Sequence, residues 1–319
     1  LSDDRHATGV VYDPLYREHD PGWGHPESPD RVEAARVGVE TAARSVRTIS
    51  IPARDASEDD IRLVHTAAYL SGVQADCVCG AGSLRTGDTA VCERSYGVAL
   101  RSAGGVLAAA DAVMAGRCRN AFCAVRPPGH HAAPDRGMGF CVFNNIAIAA
   151  RHLQKRHRLE RVLIADWDVH HGNGTQDVFY ADPSVFYFST HQWPHYPGTG
   201  AVSENGAGPG KGFTMNVPLA AGSGGEEVLA AFREQLVPAM KAFMPQFVLL
   251  SAGFDSRAGD PLGRLLLSDA DFAALTGVLM DIADESASGR LVSAMEGGYN
   301  LDGLAAAVES HVLALGGLR

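Results

Sequence analysis

Cysteine is scarce and unpatterned in this sequence: six in 319 residues, at Cys77, Cys79, Cys92, Cys118, Cys123 and Cys141, with no Cys-x-x-Cys pair and no zinc-finger spacing. A disulfide framework is thereby excluded, and the thiols read as reduced and structural. Long basic runs are also missing, and Asp and Glu outnumber Lys and Arg 37 to 27, for a formal net charge of -10. Holding a phosphate backbone needs the opposite field, so nucleic acid is excluded as a direct ligand. No stretch approaches the roughly 20 apolar residues of a bilayer span. The opening Ser2-Asp3-Asp4-Arg5 is charged rather than basic and then apolar. The expectation is a cytoplasmic chain with no membrane partner.

Three familiar signatures are absent as well. There is no GxSxG nucleophile elbow and no Rossmann glycine fingerprint after a strand, which removes serine hydrolase and dehydrogenase readings. Gly206-Ala-Gly-Pro-Gly-Lys-Gly212 looks phosphate-binding but lacks the GxxxxGK[ST] spacing, and it reads as a mobile surface loop.

What is present is a chain that can bury a large core, 46% hydrophobic and only 20% charged. With no repeat, low-complexity tract or linker, a single domain over residues 1–319 is the simplest organisation. The first long helix is expected to start at Ser28 as N-cap, with Pro29 at the first helical position and Asp30 on the positive end of the dipole. Its core stripe is Val32, Ala35, Val39, Ala42 and Val46. Leu229, Phe232, Leu236, Met240 and Phe243 repeat at helical spacing, with a bend expected at Pro238, and so do Phe272, Leu275, Leu279 and Ile282.

Between the helices lie short apolar runs without alternation, at 122–125, 162–165, 185–188, 247–250 and 291–295, as fits strands of a parallel sheet buried on both faces. A polar cluster follows each run. In order they are Arg126-Pro-Pro-Gly-His130-His131, then Asp166-Trp-Asp168-Val-His170-His171-Gly-Asn173, then Ser189-Thr190-His191, then Ala252-Gly-Phe-Asp255, and last Glu296-Gly-Gly-Tyr299. Open α/β sheets bind ligands beyond the carboxyl ends of their strands, so five clusters distant in sequence are expected to converge on one edge.

Their chemistry is specific. Asp168 and His170, two apart at a strand end, share one side, and Asp255 arrives from a neighbouring strand. Two carboxylates and one imidazole leave coordination positions open, as a catalytic divalent site does. Zn2+ is favoured by softness and geometry, with Fe2+ or Co2+ as alternatives. His130 and His131 supply acid/base groups whose unperturbed pKa is about 6.5. Tyr299, between glycines and a helix starting near Leu301, is placed to reach an oxyanion. Together these parts describe metal-assisted hydrolysis of an amide or related acyl bond.

The motifs, in order, are His25-Pro-Glu-Ser-Pro-Asp-Arg31, Arg126 to His131, Gly139-Phe-Cys-Val-Phe-Asn-Asn145, Asp166 to Gln176, Pro197-Gly-Thr-Gly200, Ser251-Ala-Gly-Phe-Asp255 and Glu296-Gly-Gly-Tyr-Asn300. This series resembles the zinc-dependent histone deacetylase superfamily, including bacterial histone deacetylase-like amidohydrolases and acetylpolyamine amidohydrolases. The Asp-Trp-Asp-Val-His-His-Gly-Asn-Gly-Thr-Gln run is similar to the class II branch.

The resemblance implies an α/β fold, the three-layer α/β/α arginase/deacetylase domain around a mostly parallel sheet. It implies one Zn2+ on Asp168, His170 and Asp255, with His131 as general base and acid and His130 as its electrostatic partner. Asp166 is implied behind His130 and Asn173 behind His131, where class I relatives carry Asp; Tyr299 is the oxyanion-stabilising tyrosine. Phe140 and Tyr196 are implied to line the acyl channel, the Gly139 carbonyl to accept the substrate amide, and Leu262 to shape the entrance. Two K+ sites are implied, one on Asp166, Asp168, His170, Ser189 and Thr190, the other on Phe179, Asp182, Val185 and Phe213.

The expected activity is deacylation of N-acylated amines, with acetyl-lysine in peptides or proteins ahead of acetylated small amines. Polyamine-specific relatives carry a carboxylate after the Asp-Pro where this chain has Asp260-Pro261-Leu262. A dimanganese ureohydrolase of the arginase type needs more metal carboxylates than are present, and a non-catalytic acyl-lysine binder is expected to lack a ligand or the tyrosine. Asp88 or Thr89 is expected to hold the substrate backbone, with the His25 to Pro29 loop and Trp23 at the rim. Homo-oligomerisation is left open.

Overall fold

The computed structural model describes residues 7–318; the charged opening Ser2 to Arg5 and the last residue of the expected domain lie outside the described residues. Eight strands, all parallel, form one sheet in the order β2-β1-β3-β8-β7-β4-β5-β6. They are β1 Thr8–Val11, β2 Thr48–Ser50, β3 Asn120–Cys123, β4 Val162–Asp166, β5 Val185–Gln192, β6 Thr214–Leu219, β7 Phe247–Ala252 and β8 Leu291–Met295. The five apolar runs of the sequence are β3, β4, β5, β7 and β8, and these five are consecutive neighbours in the sheet. Every residue of the five is buried, because helices cover both faces.

The three strands that the apolar runs do not reveal stand at the sheet's two sides. β1 and β2 are four and three residues long, and β6 alternates buried and half-buried residues and includes Pro218. Short or half-buried strands carry too little continuous apolar signal to stand out.

The helices are α1 Asp30–Ala42, α2 Glu58–Ile61, α3 Ala67–Val78, α4 Ser95–Met114, α5 Asn145–His157, α6 Asn173–Phe179, α7 Gly225–Ala230, α8 Val237–Phe243, α9 Asp269–Ser286 and α10 Leu301–Leu315. α9 and α10, with α1 packed on α10, cover one face; α4 and α5 cover the other. The three-layer α/β/α arrangement is thus present. Val32, Ala35, Val39, Ala42 and Val46 are all buried, as their spacing predicts. Each buried Val, Leu or Phe side chain contributes about 1.5–3 kcal/mol of transfer free energy to that core.

Local details depart from expectation. α1 begins at Asp30 with Pro29 in the capping position, and no side chain, Ser28 included, caps it. The irregularity expected at Pro238 is a π-helical turn, Ala231–Leu236, just before α8. A proline has no N–H to close the regular ladder, and widening the preceding turn accommodates it. The glycine loop 206–212 holds a 3-10 turn, Gly208–Gly210, with Gly210 buried against the backbone of Ala181 and Asp182. It is tied down by Ala207 N donating to Tyr180 O and Gly212 N to Asn205 O, so it is not a free loop. α4, by length and composition, is apolar enough to cross a membrane, against the sequence reading; two thirds of its apolar window is buried in the protein, where it packs on β1, β3 and β8.

Candidate active site

The loops leaving β3, β4, β7 and β8 meet at the carboxyl edge of the sheet. Register holds their ends level: Asp166 on β4 pairs with Ser251 on β7, and Ala252 with Met295 on β8. Asp168, His170 and Asp255 come together, with one ligand atom from each lying within 4.8 Å of the other two. His170 Nδ1 is 3.0 Å from Asp168 Oδ1 and 3.2 Å from Asp255 Oδ2.

Backbone donors hold the carboxylates in place. His170 N donates to Asp168 Oδ1, Gly297 N to Asp168 Oδ2 at 2.8 Å, and Val169 N to Asp255 Oδ1 at 2.9 Å. Asp255 Oδ2 is buried with no hydrogen-bond donor of its own. Burial, and then the Asp168 carboxylate beside it, push the Asp255 carboxyl up to about 7. Two crowded buried carboxylates, one with an oxygen unsatisfied, plus an imidazole and open positions, are a donor set that fits a divalent cation. Gly297 is dictated by this approach, since a Cβ there would overlap Asp255 Oδ2.

The histidine pair lies beside the cluster, ring centroids 4.0 Å apart. His130 Nδ1 is 3.0 Å from Asp166 Oδ2, and its Nε2 is 3.8 Å from Asp168 Oδ2. Burial opposes the charge on His130, but Asp168 and Asp166 outweigh it and push its pKa up to about 10. His131 behaves oppositely. Burial first, then the positive His130 and His170, hold it well below its usual value, so it is neutral. Its Nδ1 lies 2.8 Å from Asn173 Oδ1. An amide oxygen only accepts, so Nδ1 carries the proton and Nε2 is left as a base.

Tyr299 completes the site. Burial pushes its phenol well above the usual value, so the hydroxyl stays protonated and able to donate. Its ring is edge-on to Phe140 at 5.9 Å and has the Arg31 guanidinium carbon over it at 4.7 Å. Phe140 follows Gly139, where a Cβ would overlap the His131 ring, and Phe140 itself holds a φ of 67°. Tyr196 stands edge-on to His131 at 5.2 Å. Leu262 joins the wall through its carbonyl, which accepts from His195 Nε2 at 2.9 Å; that imidazole stacks on His170 at 5.0 Å.

Asp88 and Thr89 separate clearly. Asp88 is exposed at the rim, accepting from Gly139 N at 2.7 Å and Tyr196 Oη at 3.1 Å. Thr89 is buried and donates to Cys141 O, so it does not face the rim. The His25 to Pro29 loop divides too. His25 packs on Phe140 at 4.7 Å and Trp23 is fully exposed, but Glu27 is completely buried.

Several residues escape sequence reasoning. Glu27 binds Arg126 through both carboxylate oxygens, at 2.7 and 2.6 Å, and Arg31 at 2.9 Å; Arg31 then donates to Gly298 O and Glu296 O. Glu296 accepts from Gly129 N and His130 N, which positions the histidine loop. Asp260 accepts from Tyr299 N at 2.7 Å and from Leu262 N at 2.9 Å, tying the tyrosine to the entrance. The signal for Glu27, Arg31, Arg126 and Glu296 was their place inside the motifs, without a role attached; Asp260 lies outside them.

Of the residues implied for K+, Asp166, Ser189 and Thr190 are buried on β4 and β5, and Asp168 and His170 are buried in the loop that follows β4. Phe179, Asp182, Val185 and Phe213 gather at the other end of β5: Asp182 N donates to Phe179 O, and Tyr187 N to Phe213 O. Asp182 also binds Arg151 at 2.6 Å. A separate groove of about 580 Å³, lined by Val237, Ala273, Gly277 and Val278, lies away from this site.

A base, an oxyanion donor and a metal-ligand triad at one sheet edge are the requirements of amide hydrolysis, which places the chain among the hydrolytic deacetylases. Comparison with known proteins agrees. Residues 25–315 match the histone deacetylase domain, and the chain belongs to the histone deacetylase family. It is 39% identical over 299 residues to a probable deacetylase of Archaeoglobus fulgidus, covering 93% of this chain and 82% of that one. It is 41% identical over 278 residues to the histone deacetylase-like amidohydrolase of Pseudomonas aeruginosa, covering 87% and 73%. The crystal structure of the HDA15 HD domain superposes with a TM-score of 0.91 at 37% identity, covering 98% of this chain and 90% of that one.

Proposed function

We propose that this deacetylase is zinc-dependent, with the ion on Asp168, His170 and Asp255, and that it acts on acetyl-lysine in peptides or proteins. The observation that carries the metal reading is the buried, unsatisfied Asp255 Oδ2 beside His170 and Asp168. When bound there, Zn2+ supplies Lewis acidity and makes water nucleophilic at neutral pH. His131 Nε2 takes the proton of the attacking water and returns it to the leaving amine. His130, hydrogen-bonded to the Asp166 carboxylate, steadies the negative charge that develops. The Tyr299 hydroxyl donates to the developing oxyanion.

Phe140 and Tyr196 hold the acyl-bearing chain between two rings, and the Gly139 carbonyl accepts the substrate amide N–H. Asp88, fixed by Gly139 N and Tyr196 Oη, is the group that meets the substrate backbone. Leu262 at the entrance favours a peptide over a cationic polyamine. K+ is assigned to the oxygen-rich surroundings of Asp166, Asp168, His170, Ser189 and Thr190, and a second K+ to Phe179, Asp182, Val185 and Phe213. Kinetics on an acetyl-lysine peptide and on acetylputrescine test the substrate reading. A kcat/KM at least tenfold higher for the peptide supports it, and the reverse preference makes acetylated polyamines the substrate. Deacetylation of neither, with hydrolysis of a guanidine in the presence of manganese, would favour the arginase type.

A further inference from the structure

A second group of metal-ligating side chains lies outside the active site, toward the far end of α5. Asp111 is in the last turn of α4, and His152 and His157 are on the C-terminal half of α5. His152 Nε2 is 2.8 Å and His157 Nε2 2.7 Å from the same oxygen, Asp111 Oδ1. One ligand atom from each lies within 4.8 Å of the other two, as in the catalytic cluster. The start of α5 lies against the histidine loop, Asn145 N standing 2.6 Å from where a Cβ on Gly129 would be, and at about 1.5 Å of rise per residue His157 is about 18 Å further along the helix, so the two clusters are separate.

The surroundings suit an ion. His152 is nearly buried, with 5% of its side chain exposed, whereas Asp111 and His157 are 29% and 21% exposed, so one wall is fixed and the other opens to water. In the metal-free protein both imidazoles converge on one carboxylate oxygen, which draws the three side chains together. As metal ligands both imidazoles carry their proton on Nδ1 and present Nε2. Asp60 Oδ1 lies 3.9 Å from His152 Nδ1, and Asp60 is itself held by Ser57 N and Arg54. At that distance Asp60 adds negative charge beside the imidazole without a direct hydrogen bond to it.

The edge of a tetrahedron built on metal–ligand bonds near 2.05 Å is about 3.3 Å, so ligation needs the three atoms to spread by roughly half an ångström. His157, the last residue of α5, has that freedom. Arg156 competes for the carboxylate, its Nε 3.9 Å from Asp111 Oδ1, but it is 67% exposed and can turn to solvent.

We propose that Asp111, His152 and His157 form a second divalent-metal site, selective for borderline transition ions such as Zn2+, Ni2+ or Cu2+. The ion ties the end of α4 to the end of α5. It stands independently of the catalytic metal.

Calorimetric titration of metal-stripped full-length protein with Zn2+ tests it. Wild type is expected to bind one more equivalent than His157→Ala or Asp111→Asn, both of which keep wild-type deacetylase activity and circular dichroism. Asp255→Ala is expected to lose a different equivalent and keep this one. Equal zinc stoichiometry in wild type and folded His157→Ala overturns the proposal, whatever Asp255→Ala shows.

Discussion

His131 and Asn173 are joined by one hydrogen bond, Nδ1–H to Oδ1 at 2.8 Å, and the acceptor is a neutral amide rather than a carboxylate. The bond orients the imidazole without adding charge, leaving burial to keep His131 weakly basic. Asn173→Asp puts a negative charge at the same place and is expected to raise the His131 pKa by about 1–3 units. The acidic limb of the kcat/KM profile then moves to higher pH by that amount. Asn173→Leu removes the orientation instead and is expected to cost at least about 10²-fold in kcat. Rate profiles of the two variants against wild type provide the check.

In the proposed reaction Tyr299 acts through its hydroxyl, and Asp260 accepts from the backbone N–H of that tyrosine. Tyr299→Phe is expected to lower kcat about 10²–10³-fold with little change in KM, as loss of an oxyanion donor does. Asp260→Asn leaves the hydroxyl in place but loosens its presentation, so a smaller fall in kcat is expected. Steady-state kinetics separate them. A variant Tyr299→Phe of wild-type kcat would remove the tyrosine from the chemistry.

Glu27 is completely buried between Arg126 and Arg31. Burial alone would raise its carboxyl, yet Arg126, His19 and Arg31 hold it far below the usual carboxylate range. A depressed folded-state pKa adds stability that is fully present above the unfolded value of about 4.3 and is lost as pH falls from there toward the folded value. Glu27→Gln strands two buried guanidinium groups, and a loss of about 3–5 kcal/mol is expected. Denaturant unfolding at pH 7 and pH 2 measures both effects, with wild type and variant drawing together at the lower pH.

His311 shows the opposite linkage. Its two ring nitrogens meet Thr276 Oγ1 at 2.7 Å and Ser293 Oγ at 2.8 Å, and burial pushes its pKa down to about 3. Below an unfolded value of about 6.5 the unfolded chain binds a proton that the folded chain refuses. Stability therefore falls with decreasing pH between about 6.5 and 3, by roughly 1.4 kcal/mol per unit from this residue alone. Comparing wild type with His311→Asn in urea at pH 7.5 and 5.5 isolates the contribution, and the variant is expected to show the flatter dependence.

Much of the candidate site is legible in the sequence because each proposed catalytic or metal-binding side chain follows an apolar run that becomes a buried strand. Asp168, His170, Asp255, His131 and Tyr299 follow that rule, and the five runs are adjacent in the sheet. Supports are less legible, since they act across long sequence separations. Glu27 meets Arg126 from 99 residues away and Asp260 meets the Tyr299 backbone from 39, and neither pairing leaves a local pattern. β1, β2 and β6 escape notice for a different reason: they are short or half-buried. The apolar run of α4 shows the limit of composition, which does not distinguish a core helix from one that crosses a bilayer.

The proposed mononuclear zinc site is tested by turnover of an acetyl-lysine peptide by chelator-stripped protein as Zn2+ is added back, read together with Asp255→Ala. Activity that is absent after stripping, returns with Zn2+ in wild type and never returns in the variant is the expected result. Stripped protein that stays fully active, or zinc-loaded wild type that leaves the peptide intact, contradicts the account.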